Sequence, residues 1–119
     1  MGSKNENGWG LEMETPITGR SDKPRDKGLT MIIDKGMGVR ELTDLLEIGG
    51  KYIDFLKFSF GTSFVYPAHI LKEKINLIKN ANIDVYPGGT LFEVSVSKNK
   101  LVEYLYKARE LGFTAIEIS

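Results

Sequence analysis

The sequence predicts an α/β fold, about four β/α units with parallel strands that form part of a TIM (β/α)8 barrel. Three observations lead there. Short apolar runs alternate with amphipathic stretches from Gly28 to the end of the 119-residue chain. The runs begin at Leu29, Tyr52, Ile83 and Phe113, 23 to 31 residues apart, which is room for a strand, a crossover helix and two loops. Alternate positions in each run divide into a mostly apolar set, with Asp54 the exception, and a mixed set that carries charges. Strands that alternate with helices pair in parallel through right-handed crossovers. An open doubly wound sheet would be apolar on both faces, so one charged face fits a barrel better.

The first 27 residues are rich in Gly, Asn, Lys and Glu and read as an extended or poorly ordered segment, with Trp9 as an anchor. The barrel portion is expected over residues 28–119. Leu29–Asp34 is a short apolar run and the first strand. Val39, Leu42, Leu45, Leu46 and Gly49 follow at helical spacing. Tyr52–Ser59 is the second strand, rich in aromatic and β-branched residues. Pro67 stands where a helix can begin without losing an N–H, and Leu71, Ile75 and Ile78 form that helix's buried stripe. Ile83–Gly88 is the third strand, and the Gly-Gly pair after it opens a turn and a short helix. Leu101, Val102, Leu105, Ala108 and Leu111 mark the next helix, which Gly112 closes. Phe113–Ser119 is the fourth strand.

Side-chain alternation puts Thr30, Ile32 and Asp34 on the inner face with Phe55, Lys57 and Ser59, then Asp84 and Tyr86, then Ala115, Glu117 and Ser119. A four-stranded piece of a barrel leaves two unpaired edges and an apolar interior. The chain is therefore expected to be truncated, or to complete itself by association.

Composition narrows the function. The chain is 41% hydrophobic and 27% charged, so it can bury a core. Sixteen basic residues balance sixteen acidic ones, which argues against nucleic-acid binding and a polybasic membrane arm. No apolar run is long enough to span a bilayer, and no signal-peptide pattern is present. With no Cys and one His, thiolate and multi-His metal sites are excluded, and any metal would be a hard, oxygen-ligated ion such as Mg²⁺. A cytoplasmic globular protein fits these facts.

Barrel active sites lie at the C-terminal ends of the strands. The polar residues expected there are Asp34 and Lys35, then Lys57, Ser59, Thr62 and Ser63, then Gly88, Gly89, Thr90 and Glu93, then Glu117 and Ser119. Lys57 and Glu117 interrupt apolar strands, and a buried charge must be paired or used. They form either a structural ion pair or part of a substrate or metal site. Asp34 can bind Mg²⁺ or orient Lys57, or it is a turn residue beside a solvated Lys35. Gly88 and Gly89 before a helix let an anion approach its free N–H groups, although Gly-Gly is also a common turn. Thr90 and Glu93 match a capping box, the plainer reading of Glu93. His69 and the Lys72–Lys74 and Lys98–Lys100 clusters read as solvated surface.

Five blocks in order then carry a family resemblance: Lys23–Arg25, residues 28–38 (GLTMIIDKGMG), 52–63 (YIDFLKFSFGTS), 71–93 (LKEKINLIKNANIDVYPGGTLFE) and 110–119 (ELGFTAIEIS). Together they resemble the phosphosulfolactate synthase family. The resemblance implies a (β/α)8 barrel, homo-oligomers, and Mg²⁺-dependent addition of sulfite to phosphoenolpyruvate, giving (2R)-phospho-3-sulfolactate on the route to coenzyme M or sulfolactate. Sulfite attacks the methylene carbon, charge develops on the carboxylate as an aci-carboxylate, and a proton then reaches the adjacent carbon. Carried onto this sequence, Asp34 and Glu117 are candidates for the metal or its shell. Lys57, Lys35 and Glu93 are catalytic candidates, and Arg25, Ser59, Thr62, Gly88, Gly89 and Thr90 are substrate-binding candidates. Residues 57–63 (KFSFGTS) vary where the family pattern puts a Gly or Trp in the loop. The family pattern continues through four more strands, so this chain is expected to be inactive alone. The alternatives are a non-catalytic, stress-associated homologue acting as a binding or structural module, and another phosphate-handling barrel such as an aldolase or isomerase.

Overall fold

A computed structural model of the chain describes residues 22–59 and 61–118. The readings over residues 1–21, with Trp9 among them, and at Ser119 lie outside the described residues. The elements are β1 (Met31–Asp34), α1 (Val39–Gly49), a 3₁₀ turn (Gly50–Tyr52), β2 (Phe55–Phe58), α2 (Thr62–Val65), α3 (Ala68–Asn80), β3 (Asp84–Pro87), α4 (Gly89–Ser97) and α5 (Leu101–Leu111). Among the described residues the strands form one parallel sheet in the order β1-β2-β3. This α/β arrangement is consistent with part of a barrel.

In-register partners share a face of the sheet. Ile32, Leu56 and Val85 line up across the strands, as do Asp34, Phe58 and Pro87. This face is buried: Leu56, Phe58 and Val85 join Leu42 of α1 and Leu71, Ile75 and Ile78 of α3 in one core. Phe58 packs edge-on against Tyr66 and Phe113, with ring centroids 6.0 and 5.9 Å apart. The opposite face carries Met31, Phe55 and Asp84, then Ile33, Lys57 and Tyr86. Met31 and Ile33 are exposed there. Apolar helices on one face and charges on the other is the barrel-like division.

The register corrects one strand's facing. Asp34 was expected inward with Lys57, but Ile33 is the partner of Lys57 and Asp34 lies under the helices. Both phases of β1 look alike in sequence, because Met31 and Ile33 are as apolar as Ile32. The charge of Asp34 is tolerated on the helix side because a buried lysine, two backbone amides and a tyrosine hydroxyl meet it there.

The fourth unit is also incomplete. Residues 113–118 run beside β3 without forming a strand. Thr114 N–H donates to the Val85 carbonyl at 3.0 Å, but the Val85 N–H is taken by the Thr114 hydroxyl at 2.9 Å. A side chain thus occupies a position that a ladder gives to a backbone carbonyl. Residues 22–27, in the segment expected to be extended or poorly ordered, form no helix or strand but are tied to the rest of the fold. Lys23 Nζ donates to the carbonyls of Ala81 (3.2 Å) and Asn82 (3.0 Å), and the Arg25 side chain is nearly buried against Asp54.

Gly112 ends α5 in the left-handed region (φ 102°), and a Cβ there would meet Ile75 Cγ2 at 3.2 Å. Gly112→Ala is expected to destabilise the protein by about 1–2 kcal/mol, read as a lower urea midpoint with an unchanged slope.

Candidate active site

Lys57 lies third in β2, on the open face of the sheet. Its ammonium bridges both Glu117 oxygens, at 2.9 Å to Oε1 and 3.1 Å to Oε2. Glu117 Oε1 also accepts the Gly89 N–H at 2.6 Å. Gly89 is the first residue of α4, where N–H groups lack intrahelical partners and the helix field favours negative charge. No side chain caps this terminus locally, so the expected Thr90–Glu93 capping box does not form. A carboxylate 28 residues along the chain takes its place. Gly88 and Gly89 are buried at this junction, and Thr90 is exposed at its edge.

The hydrogen bond from Lys57, and then the one from Gly89, hold the Glu117 carboxyl below its ordinary value of 4.5 despite some desolvation. A depressed acid contributes stability that is complete above its unfolded-state value and is lost as pH falls through the folded-state value. The Lys57–Glu117 link should therefore persist through neutral pH and open only below pH 4.5. Carboxyl chemical shifts followed against pH check this, and an opening above that value would contradict it.

Tyr86 was missed as a site residue. It is the register partner of Lys57 on the same face. Burial, and then the charge of Glu117, push its phenol up, with Lys57 opposing. Alternation already puts Tyr86 on the inner face with Lys57, but a tyrosine in an apolar strand reads as packing, so its phenol was not counted among the site residues.

At the end of β2, Ser59 and Thr62 share a hydrogen bond between their hydroxyls, and the Ser59 N–H donates to the Asp34 carbonyl at 2.9 Å. Lys35 is exposed beyond β1, and Glu93 is exposed on α4.

Two expected members stand elsewhere. Arg25 pairs with Asp54 at 2.5 Å and donates to the Lys51 carbonyl at 2.6 Å, at the N-terminal ends of the strands. It borders a cavity of about 370 Å³ lined also by Lys23, Asp54 and Asp84, at the opposite end of the sheet from the Glu117 carboxylate. Asp34 is fully buried on the helix side. Its Oδ1 accepts the N–H groups of Gly36 (2.7 Å) and Met37 (2.8 Å) and the Tyr66 hydroxyl (3.0 Å), and its Oδ2 accepts Lys74 Nζ. Burial works to raise its pKa, but the hydrogen bonds from Lys74, Gly36 and Met37 outweigh it and hold the carboxyl below its ordinary value. Lys74, expected on a solvated face, is fully buried in this network.

These positions bear on the expected Mg²⁺. Asp34 and Glu117 lie on opposite faces of the sheet, and protein donors surround the Asp34 carboxylate. Among the described residues no group of three acidic or imidazole side chains comes together to hold a metal ion. Asp34 and Glu117 therefore do not fit a shared Mg²⁺ site.

A parallel sheet with helices packed on one face, and the Lys57 ammonium and the start of α4 at the C-terminal end of the other, make an α/β arrangement consistent with part of a barrel. A family model described as (2R)-phospho-3-sulfolactate synthase (ComA) matches residues 18–119, and the chain belongs to that family. A phosphosulfolactate synthase of Methanothermobacter thermautotrophicus is 46% identical over 100 residues, covering 84% of this chain and 39% of the relative. One of Methanocaldococcus jannaschii is 50% identical over 93 residues, covering 78% and 37%. Protein HEAT-STRESS-ASSOCIATED 32 of Arabidopsis thaliana is 27% identical over 104 residues, covering 84% and 36%. The chain thus spans well under half the length of these curated relatives. No helix among the described residues is long and apolar enough to cross a membrane.

Proposed function

We propose that the full-length protein is a phosphosulfolactate synthase, a carbon–sulfur lyase that joins sulfite to phosphoenolpyruvate to give (2R)-phospho-3-sulfolactate. The observation that carries this reading is the Lys57–Glu117–Gly89 cluster at the C-terminal ends of β2 and β3, in a chain of this family. Both substrates are anions, and charge builds on the phosphoenolpyruvate carboxylate as the carbon–sulfur bond forms. A fixed ammonium beside helix-terminal amides stabilises such charge without reorganising. Glu117 accepts a hydrogen bond from the ammonium and pairs with it through both oxygens, which fixes its direction on the open side of the sheet. Gly88, Gly89 and Thr90 offer a backbone approach for a phosphate or carboxylate group. Ser59, Thr62 and Lys35 form the neighbouring rim.

When bound, Mg²⁺ would act as a Lewis acid on the developing carboxylate charge. Asp34 and Glu117 do not form a site for it. A cytoplasmic homo-oligomer acting on small molecules, with no nucleic-acid or membrane partner, completes the proposal. Its support is the balanced charge, the absence of cysteine and the family resemblance.

The test is an assay of the full-length protein with phosphoenolpyruvate and sulfite, with and without Mg²⁺. A sulfonated phosphoester is the expected product. Turnover without sulfite would point to another phosphate-handling barrel. A folded but inactive protein would favour the stress-associated reading, for which the Arabidopsis relative is the supporting observation.

A further inference from the structure

Asp34, Tyr66 and Lys74 form a closed buried network outside the cluster just described. Lys74 extends from α3 and donates to Asp34 Oδ2, to the Met37 carbonyl and to the Tyr66 hydroxyl, the last at 2.9 Å. Tyr66 in turn donates to Asp34 Oδ1 at 3.0 Å. All three ammonium protons therefore have acceptors. The ammonium also lies 4.1 Å from the Tyr66 ring centroid and 5.3 Å from that of Phe58. A network this complete is a poor place for chemistry, since no donor or acceptor faces a ligand. It is well placed to hold backbone.

What it holds is specific. The Asp34 side chain takes the amides of Gly36 and Met37, and Lys74 takes the Met37 carbonyl, so the loop that carries Lys35 is fixed on both sides of that residue. The Asp34 carbonyl takes the Ser59 N–H, and Tyr66 closes the segment that contains Ser59 and Thr62. Three stretches of chain, the β1–α1 loop, the β2–α3 segment and α3, therefore meet at one carboxylate.

We infer that Lys74, Asp34 and Tyr66 are positioning residues that set, from the helix side of the sheet, the loops after β1 and β2, and that these loops present Lys35, Ser59 and Thr62 to substrate at the C-terminal ends of the strands. The inference rests on the synthase reading for what those loops bind. It assigns Asp34 to loop placement, where the sequence had suggested a metal ligand. Lys74 is the residue whose loss disturbs the network most, but Lys74→Met removes a buried counter-charge and puts folding itself at risk. Tyr66→Phe keeps the ring and deletes one hydroxyl, so it is the variant of choice.

The experiment compares wild type with Tyr66→Phe in the full-length protein by two readouts. Amide hydrogen exchange at Gly36 and Met37 should quicken at least about fivefold, the factor carried by one lost hydrogen bond, while exchange in the core of α3 stays unchanged. The KM for phosphoenolpyruvate should rise about tenfold with kcat within about twofold, because the loops bind substrate and do not carry the reacting groups. A purely structural role would lower the melting temperature and leave KM unchanged. Unchanged exchange at Gly36 and Met37, or an unchanged KM in an active and folded variant, overturns the inference. If the wild-type protein makes no sulfonated product, the synthase reading fails by itself, and the exchange measurement still decides whether the network sets the loops.

Discussion

Lys57→Ala in the full-length protein is expected to lower kcat by about 10²–10³-fold while leaving the fold intact. Both halves of that expectation come from the geometry. The Lys57 side chain is 23% exposed and that of Glu117 36%, so the carboxylate left behind reaches water and keeps the Gly89 N–H. Breaking a half-open pair of this kind costs little stability. The catalytic loss is large because no second lysine or arginine is paired with Glu117 among the described residues. Steady-state kinetics at saturating substrate, together with a thermal melt, check the two halves separately. Near-wild-type kcat would remove Lys57 from the chemistry, and a collapsed melt would make it a structural residue.

Lys74→Met should have the opposite profile, a loss of about 3–5 kcal/mol of stability. Lys74 and Asp34 are both fully buried, so removing the ammonium strands a carboxylate where water cannot reach it. Asp34→Asn in the same background should restore part of the loss, because it deletes the orphaned charge. The pH dependence gives a further sign. In the wild type the Asp34 carboxyl is held below 3.8, so its contribution is complete above that value and fades as pH falls further. Without Lys74, desolvation dominates and the carboxyl rises, so the variant loses stability as pH increases. The stability gap between wild type and Lys74→Met should therefore narrow towards low pH. Urea unfolding at several pH values reads it, and a gap that widened on acidification would contradict the account.

The contrast between these lysines also explains what could be read from sequence and what could not. The three described strands fall inside the runs Leu29–Asp34, Tyr52–Ser59 and Ile83–Gly88, because apolar, β-rich segments bounded by turn residues leave few alternatives. The Leu71, Ile75 and Ile78 stripe of α3 was correct for the same reason. Lys57 and Glu117 could be paired because each is a charge inside an apolar run.

Lys74 was misread through its neighbours. Lys72 and Glu73 are solvated, yet Lys74 itself sits three residues after Leu71 and four before Ile78, on the buried stripe. That spacing is the signal for burial, and the charge of the side chain argues against it. Asp34 could not be placed by alternation alone, since β1 is apolar in both phases and only pairing with β2 sets its register. The cap on α4 was invisible for a related reason. A local Thr90–Glu93 pattern was available, but the carboxylate that caps the helix comes from Glu117, and long-range partners leave no spacing to read.

The most direct test of the account is a crystal structure of the full-length protein with phosphoenolpyruvate bound. An anionic group of the ligand should lie within hydrogen-bonding distance of Lys57 Nζ and of the backbone at Gly88–Thr90, on the open face of the sheet. Phosphoenolpyruvate seated in the cavity beside Arg25 and Asp54, or in contact with the Asp34 carboxylate, would contradict it.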